Sequence, residues 1–277
     1  MIVIYLLVQV NMAYLYETHI HTSQGSACGR SRGSEYISMY QDLGYSGIII
    51  TDHFYRGNTG VDRDLPWEPW VQQFCQGYED AREEGARRGF DVFFGWEEAF
   101  DGDEYLIYGL DKEWLLQHPE VRTWTRKDQY HEVKRYGGCV IQAHPFRQRD
   151  YIKCIYLSTG CVDAVEAANP GNKSQAIDAL ALAYAKKLGM PVIAGSDTHI
   201  ASIEYNDMLM GVYLNKKMES INDFVDAVLN NSLGPIKTPP GHCDIRGNEK
   251  ESIMLPVKIL DEDDQDSGRD LWDFLGN

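Results

Sequence analysis

The sequence lacks any CxxC pair; its six cysteines, Cys28, Cys75, Cys139, Cys154, Cys161 and Cys243, are scattered. That scatter argues against a disulfide framework and for a reducing, cytoplasmic compartment, with Cys139, inside an apolar run, read as a buried thiol. Positive charge is scarce: 26 Lys and Arg stand against 42 Asp and Glu, a formal net charge of −16. A surface this acidic excludes broad, non-specific binding to nucleic acid or to an anionic membrane. It leaves room for a small anionic substrate, because bound metal ions reverse the sign locally. There is no low-complexity stretch, no obvious internal repeat and no apolar run long enough to span a bilayer. The apolar opening MIVIYLLVQVN has no Lys or Arg ahead of it and no small-residue cleavage site behind it, which argues against a secretion signal. Residues 1–12 are therefore expected to be an N-terminal extension, with Met12 as the natural start, or else an extra strand or packing arm.

What is present is a chain of 277 residues, 43% apolar, enough for a sizeable core. Strand-like runs fall at 14–21, 47–53, 91–100, 104–110, 139–145, 162–169, 191–199 and 211–214. Helix-like runs lie between them, at about 33–43, 66–88, 125–136, 173–188 and 219–231. Pro66 suits a first helical turn, and Gly44, Gly89, Gly137 and Gly189 each follow a helical run. The alternation predicts βα units and a parallel sheet, and seven or eight units fit a closed α/β barrel. From about 234 the texture turns to Pro, Gly and acid. Residues 13–235 are read as the barrel and 236–277 as an appendage, in which IMLPVKIL could add a strand and DEDDQDSGRD is a solvated run.

The chemistry gathers at strand ends. The first run ends in His19 and His21, the second in Asp52 and His53. The third carries Glu97 and Glu98, a later one ends in His144, and another in Asp197 and His199. Five of the eight histidines stand at such ends, while His118, His131 and His242 lie in helix or loop. In a βα barrel the carboxyl ends of the strands converge on one face. Alternate strand residues point the same way, so His19 with His21, and Asp197 with His199, can share a site, and Glu98 should turn away from Glu97. Imidazoles mixed with carboxylates suit zinc, manganese or iron in an open, water-bearing, multinuclear site.

An HxH, a TDH, a strand-borne Glu, an AHP and a late SDxH, in this order, resemble the PHP (polymerase and histidinol phosphatase) domain over about residues 13–235. The resemblance implies a distorted (β/α)7 barrel, two or three divalent ions and phosphoesterase chemistry. It implies that His19, His21, Glu97 and Asp197 hold a first metal, that Glu97 bridges to a second shared with His144, and that His53 and His199 hold a third. Two positions depart from the family pattern. Where relatives often carry Asp or His after the HxH pair, this chain has Ser26 and Ala27, followed by Cys28, whose thiolate would select zinc over manganese. Where relatives often carry a His near the fourth strand, the nearest match is Glu104.

Other polar residues stand near these ends. Arg147, after AHPF, could reach an anionic substrate; Asn169 and Asn172 could line the pocket; Arg30 and Arg32 could fold over a phosphate. Asp52 could orient His53 or accept a proton. The resulting expectation is hydrolysis of a small phosphate ester (a sugar phosphate, histidinol phosphate or a nucleotide) by attack of a metal-bound hydroxide. Two alternatives stand beside it. An amidohydrolase-type C–N hydrolase often adds a carbamylated Lys at a strand end, where this chain has none. A non-catalytic metal-binding module has its precedent in polymerase-attached domains, and nothing here looks like an attached polymerase.

Overall fold

Alternation within single strands sets the architecture. In the run HF at 53–54 the imidazole faces inward and Phe54 turns out; in WE at 96–97 Trp96 turns out and Glu97 inward. Phe54 and Trp96 join Trp70, Phe74 and Phe94 in one buried aromatic cluster. Burying side chains of this size stabilises the fold by about 1.5–3 kcal/mol each. The cluster backs the strand ends that carry His53 and Glu97.

The computed structural model describes residues 13–172 and 174–276. The extension expected at residues 1–12 lies outside the described residues. In chain order the elements are β1 (Tyr14–Ile20), α1 (Glu35–Asp42), β2 (Gly47–Ile50), α2 (Trp67–Phe74), α3 (Gln76–Arg88), β3 (Asp91–Phe100), β4 (Asp103–Tyr108), α4 (Lys112–Gln117), α5 (Arg126–Arg135), β5 (Cys139–Ala143) and β6 (Ile155–Ser158). There follow β7 (Ala164–Ala168), α6 (Gln175–Leu188), β8 (Val192–Ala194), β9 (Gly211–Leu214), α7 (Ile221–Leu229), β10 (Ile236–Lys237), α8 (Glu249–Ser252), β11 (Val257–Leu260) and α9 (Leu271–Leu275).

Nine strands form one sheet in the order β10-β9-β1-β2-β3-β4-β5-β7-β8. The sheet curls until it nearly closes: past β8, His21 N–H donates to Thr198 O at 3.0 Å and Thr198 pairs with Ile20 of β1. The mixed α/β barrel expected from the sequence is present, but it is not all parallel. The pairs β1-β2, β2-β3, β5-β7 and β7-β8 are parallel, whereas β4 runs antiparallel to both β3 and β5, and β9 antiparallel to β1. The cause is local. Asp101 and Gly102 join β3 to β4 with φ of 46° and 101°, the paired positive angles of a two-residue hairpin turn. A hairpin reverses direction, where a crossover helix would have preserved it.

The single helix expected over 66–88 is two, meeting at Cys75. The break lets the start of α3 pass closely over the loop after β1, where a Cβ on Gly77 would lie 2.1 Å from Thr22 Oγ1. Strand β6 was not expected from the sequence. It pairs in parallel with β11, the strand anticipated in IMLPVKIL, from Ile155↔Val257 to Ser158↔Leu260. Leu271 and Phe274 of α9 pack with Leu180 and Tyr184 of α6, and β10 pairs with β9. Residues 236–276 are thus joined to the preceding chain by two strands and a helix. Among the described residues no helix is long and apolar enough to cross a membrane.

Candidate metal centre

His19 of β1 and His21 just beyond its end have their Nε2 atoms 3.0 Å apart, fully buried. Glu97 reaches in from β3. Its Oε1 lies 3.3 Å from His19 Nε2 and 3.1 Å from His144 Nε2, its Oε2 2.8 Å from His53 Nδ1 and 3.5 Å from His21 Nε2. Each oxygen of this one carboxylate therefore sits between two imidazoles. Asp197 Oδ1 lies 3.0 Å from His21 Nε2 and 3.7 Å from His19 Nε2. Glu104, from β4, places its oxygens 3.8 Å from His53 Nδ1 and 3.5 Å from His144 Nε2. His199 stands beside His21 and His53 with nitrogens within 4.8 Å of one another. The sequence-derived residues His19, His21, His53, Glu97, Glu104, His144, Asp197 and His199 are all in this cluster. Glu98 turns away to Arg56, 3.1 Å distant.

The cluster is braced from behind. Glu166, on β7, accepts from His19 Nδ1 at 2.8 Å and from the His144 backbone N–H at 3.0 Å. With Nδ1 held by Glu166, His19 turns its Nε2 inward. Glu17 accepts from the backbone N–H groups of Thr18, His19 and Ser196 and from the Tyr40 hydroxyl, tying β1 to the turn that carries Asp197. Neither glutamate was singled out from the sequence. The available signal was a carboxylate within an otherwise apolar strand, a group that needs a buried partner.

Asp52 departs from its expected role. Its carboxylate accepts from Thr22 N–H at 2.6 Å, Thr22 Oγ1 at 2.7 Å and Ser26 Oγ at 2.6 Å, and it reaches His53 only through Ser26, which accepts the His53 backbone N–H at 2.9 Å. Burial pushes its carboxyl up to about 6 against those hydrogen bonds. It positions the first loop and does not face the cavity. Arg147 does face it, donating to Asp197 Oδ2 and to Asn169 Oδ1, both at 2.7 Å. Asn169 and Asn172 brace rather than line. Asn169 also donates to Glu166 at 2.9 Å, while Asn172 accepts from Arg147 Nε at 3.4 Å and donates to Asp178 at 2.6 Å. Behind them His242, from the loop after β10, pairs with Asp178 on α6. Arg32 points elsewhere, 61% exposed and paired with Asp80 at 2.9 Å, and Arg30 is exposed. Arg32 is thus engaged away from the centre, while the Arg30 backbone N–H donates to His199 O at 2.8 Å.

The field at the cluster favours a cation. Burial opposes the charge on Glu97 and Asp197, yet His19 and His53 hold the first, and Arg147 with His19 the second, well below the usual carboxylate range. Burial also opposes charge on His19, but Glu166, Glu97 and Asp197 raise it well above the ordinary imidazole value. His21 is pushed well below it by burial and by His53. Burial would raise the Cys28 thiol, but the neighbouring imidazoles of His199 and His53 outweigh that and bring it down to about 6. Two buried atoms, His53 Nδ1 and Glu97 Oε2, approach to 2.8 Å without the alignment of a hydrogen bond. Facing lone pairs, ionised carboxylates and unsatisfied donors are what a divalent-metal site offers, so this donor set fits the ions that the sequence implied. Two of its members sit on strained backbone, His144 at φ 28° and Asp197 at φ 50°, a cost accepted where geometry is imposed by function.

The cluster opens into a cavity of about 710 Å3 whose wall includes Cys28, His53, Glu104, Arg147, Arg149 and His199.

No protein-family model and no curated protein matches this sequence. Solved structures do. A two-domain protein of Bacteroides vulgatus, described as containing a predicted PHP-like metal-dependent phosphoesterase, superposes with a TM-score of 0.59 at 15% identity, over 82% of this chain. This chain spans 65% of that protein's length. PsfC from Pseudomonas syringae superposes with a TM-score of 0.55 at 12% identity, over 83% of this chain and 93% of its own.

Proposed function

Because this chain has a PHP-type barrel fold, we propose that it is a metal-dependent phosphoesterase acting on a small phosphate ester. The observation that carries the reading is Glu97, whose carboxylate lies within 3.5 Å of four imidazole nitrogens and so could serve more than one ion. His19, His21, Glu97 and Asp197 would hold one ion, and Glu97, His144 and Glu104 the other. Bound zinc, manganese or iron supplies positive charge for the phosphoryl oxygens and a water nucleophile at neutral pH.

The remaining tasks fall to the chain itself. Arg147, held by Asp197 and Asn169 at the cavity wall, offers a charged donor to a phosphoryl oxygen. Glu166 fixes the His19 ring and the His144 backbone, so the donors need little reorganisation. A cavity of about 710 Å3 accommodates a sugar phosphate, histidinol phosphate or a nucleotide. Its arginines concentrate positive charge in an otherwise acidic protein, which favours a phosphate over a neutral amide. No lysine is among the described residues that line it, which weighs against a carbamate-bridged C–N hydrolase.

The test is a panel of phosphomonoesters and phosphodiesters offered to metal-stripped protein with manganese, zinc or iron restored separately. We expect ester hydrolysis that depends on added metal and disappears in Glu97→Gln. Absence of hydrolysis of every ester, read as phosphate release from the monoesters and alcohol release from the diesters, with metal content verified, would overturn the reading in favour of a non-catalytic module.

A further inference from the structure

The cavity that opens on the centre has a smaller neighbour. Gly171, Asp197 and His199 belong to its wall and also to that of a second chamber, of about 190 Å3. The two chambers differ in character. The larger carries Arg56, Arg147, Arg149 and Glu104, whereas the smaller is closed by Pro170, Ile200, Met208 and Leu209. Beyond the shared ligands, its polar side chains among the described residues are Ser196 and Thr198, and Ser196 Oγ is already engaged with Glu17 and with the Met210 N–H. The hydroxyls of a sugar would give up water there for few side-chain partners, a cost that an apolar group does not bear.

The smaller chamber is held in shape. The turn after β8 is tied at its start by Ala201 N–H to Ser31 Oγ at 3.0 Å. It is tied at its end by Met210 N–H to Ser196 Oγ at 2.8 Å and by Lys237, which donates to Leu209 O. Gly171 N–H donates to Asn169 Oδ1 at 2.8 Å and fixes the turn that carries Pro170. Leu209 is buried, but Met208 is 46% exposed, a large apolar side chain left in water at the rim. A Cβ on Gly171 would lie 2.8 Å from Arg147 Nη2, so the guanidinium offered to the phosphoryl group stands at the border of the two chambers.

We propose that the smaller chamber receives the alcohol part of the ester, and that this alcohol is apolar. The substrate is then a short alkyl or aryl phosphate with its phosphoryl group toward Arg147 and the Glu97 donors. The proposal rests on the phosphoesterase reading and narrows it. Met208 has the flexibility to close on chains of different shape. Loops after strand ends are where such discrimination resides.

The experiment uses the whole chain loaded with manganese and the series methyl-, ethyl-, propyl- and butylphosphonate. A phosphonate has carbon where the ester has its bridging oxygen, so it is not hydrolysed and binding is read apart from turnover. Calorimetry should show affinity rising by about two- to fourfold for each added methylene. In Ile200→Thr and in Met208→Gln, which add polarity without charge, that increment should shrink toward none. Circular dichroism verifies the fold of both variants, and metal content is measured in all three proteins. Affinity that stays level from methyl to butyl, no binding of any phosphonate, or an increment undiminished in both variants would each overturn the proposal. Chain-length dependence in binding, with no ester hydrolysed, would keep the apolar subsite and lose the phosphoesterase reading.

Discussion

Glu166 touches no cavity, yet it holds two parts of the centre at once, the ring of His19 and the backbone at His144. Glu166→Gln keeps the shape but removes the charge that supports both, and should weaken metal binding by about 10–100-fold with the fold intact. Competition with a chromophoric chelator measures this; unchanged affinity would show that Glu166 only fills space. The strand-end residues were legible because a His or Asp at the close of an apolar run is conspicuous. Glu166 was not, because one carboxylate in a short strand reads equally as a solvent-facing position until the neighbouring strands are placed. Arg32 shows the same limit: the sequence puts it in the right loop, and only the loop's course reveals that it meets Asp80.

Between elements, the closest approach near the centre is that of α3 to the loop after β1. A Cβ at Gly77 would stand 2.1 Å from Thr22 Oγ1 and 2.9 Å from Asp52 Oδ2. Gly77→Ala should therefore cost about 1–3 kcal/mol. It should also loosen the Thr22–Asp52–Ser26 bonds that hold the first loop. A lower Tm with a weaker bound ion is expected; a stability gain from the better helix former would contradict the packing argument. Helical periodicity over 66–88 could not reveal the break at Cys75, because that break answers a contact with a distant loop. The hairpin at Asp101–Gly102 is a different case, since an Asp-Gly pair between two strand-like runs is a local turn signal and the reversal of β4 follows from it. β6 stayed hidden because its partner β11 lies about a hundred residues away and its own four residues are too few to carry a pattern.

Across the whole molecule, negative charge dominates, and several of those charges are buried around one point. Ions there offset carboxylate repulsion and bind only the folded chain, which stabilises it by about 4 kcal/mol when free ion exceeds Kd a thousandfold. Chelation should lower Tm by something on the order of ten degrees, reversibly. A Tm indifferent to chelator would mean that the donors are satisfied without metal. The pair of His242 and Asp178 gives the molecule a further property. From it, contacts run through Asn172 to Arg147 and on to Asp197, so the loop after β10 is linked to the arginine of the centre through two intervening side chains. Linkage of this kind is reciprocal. Filling the centre should slow a protease that cuts near His242, and His242→Ala should abolish that protection. The tail would then work as a latch, whose cleavage rate reports from outside whether the chamber is occupied.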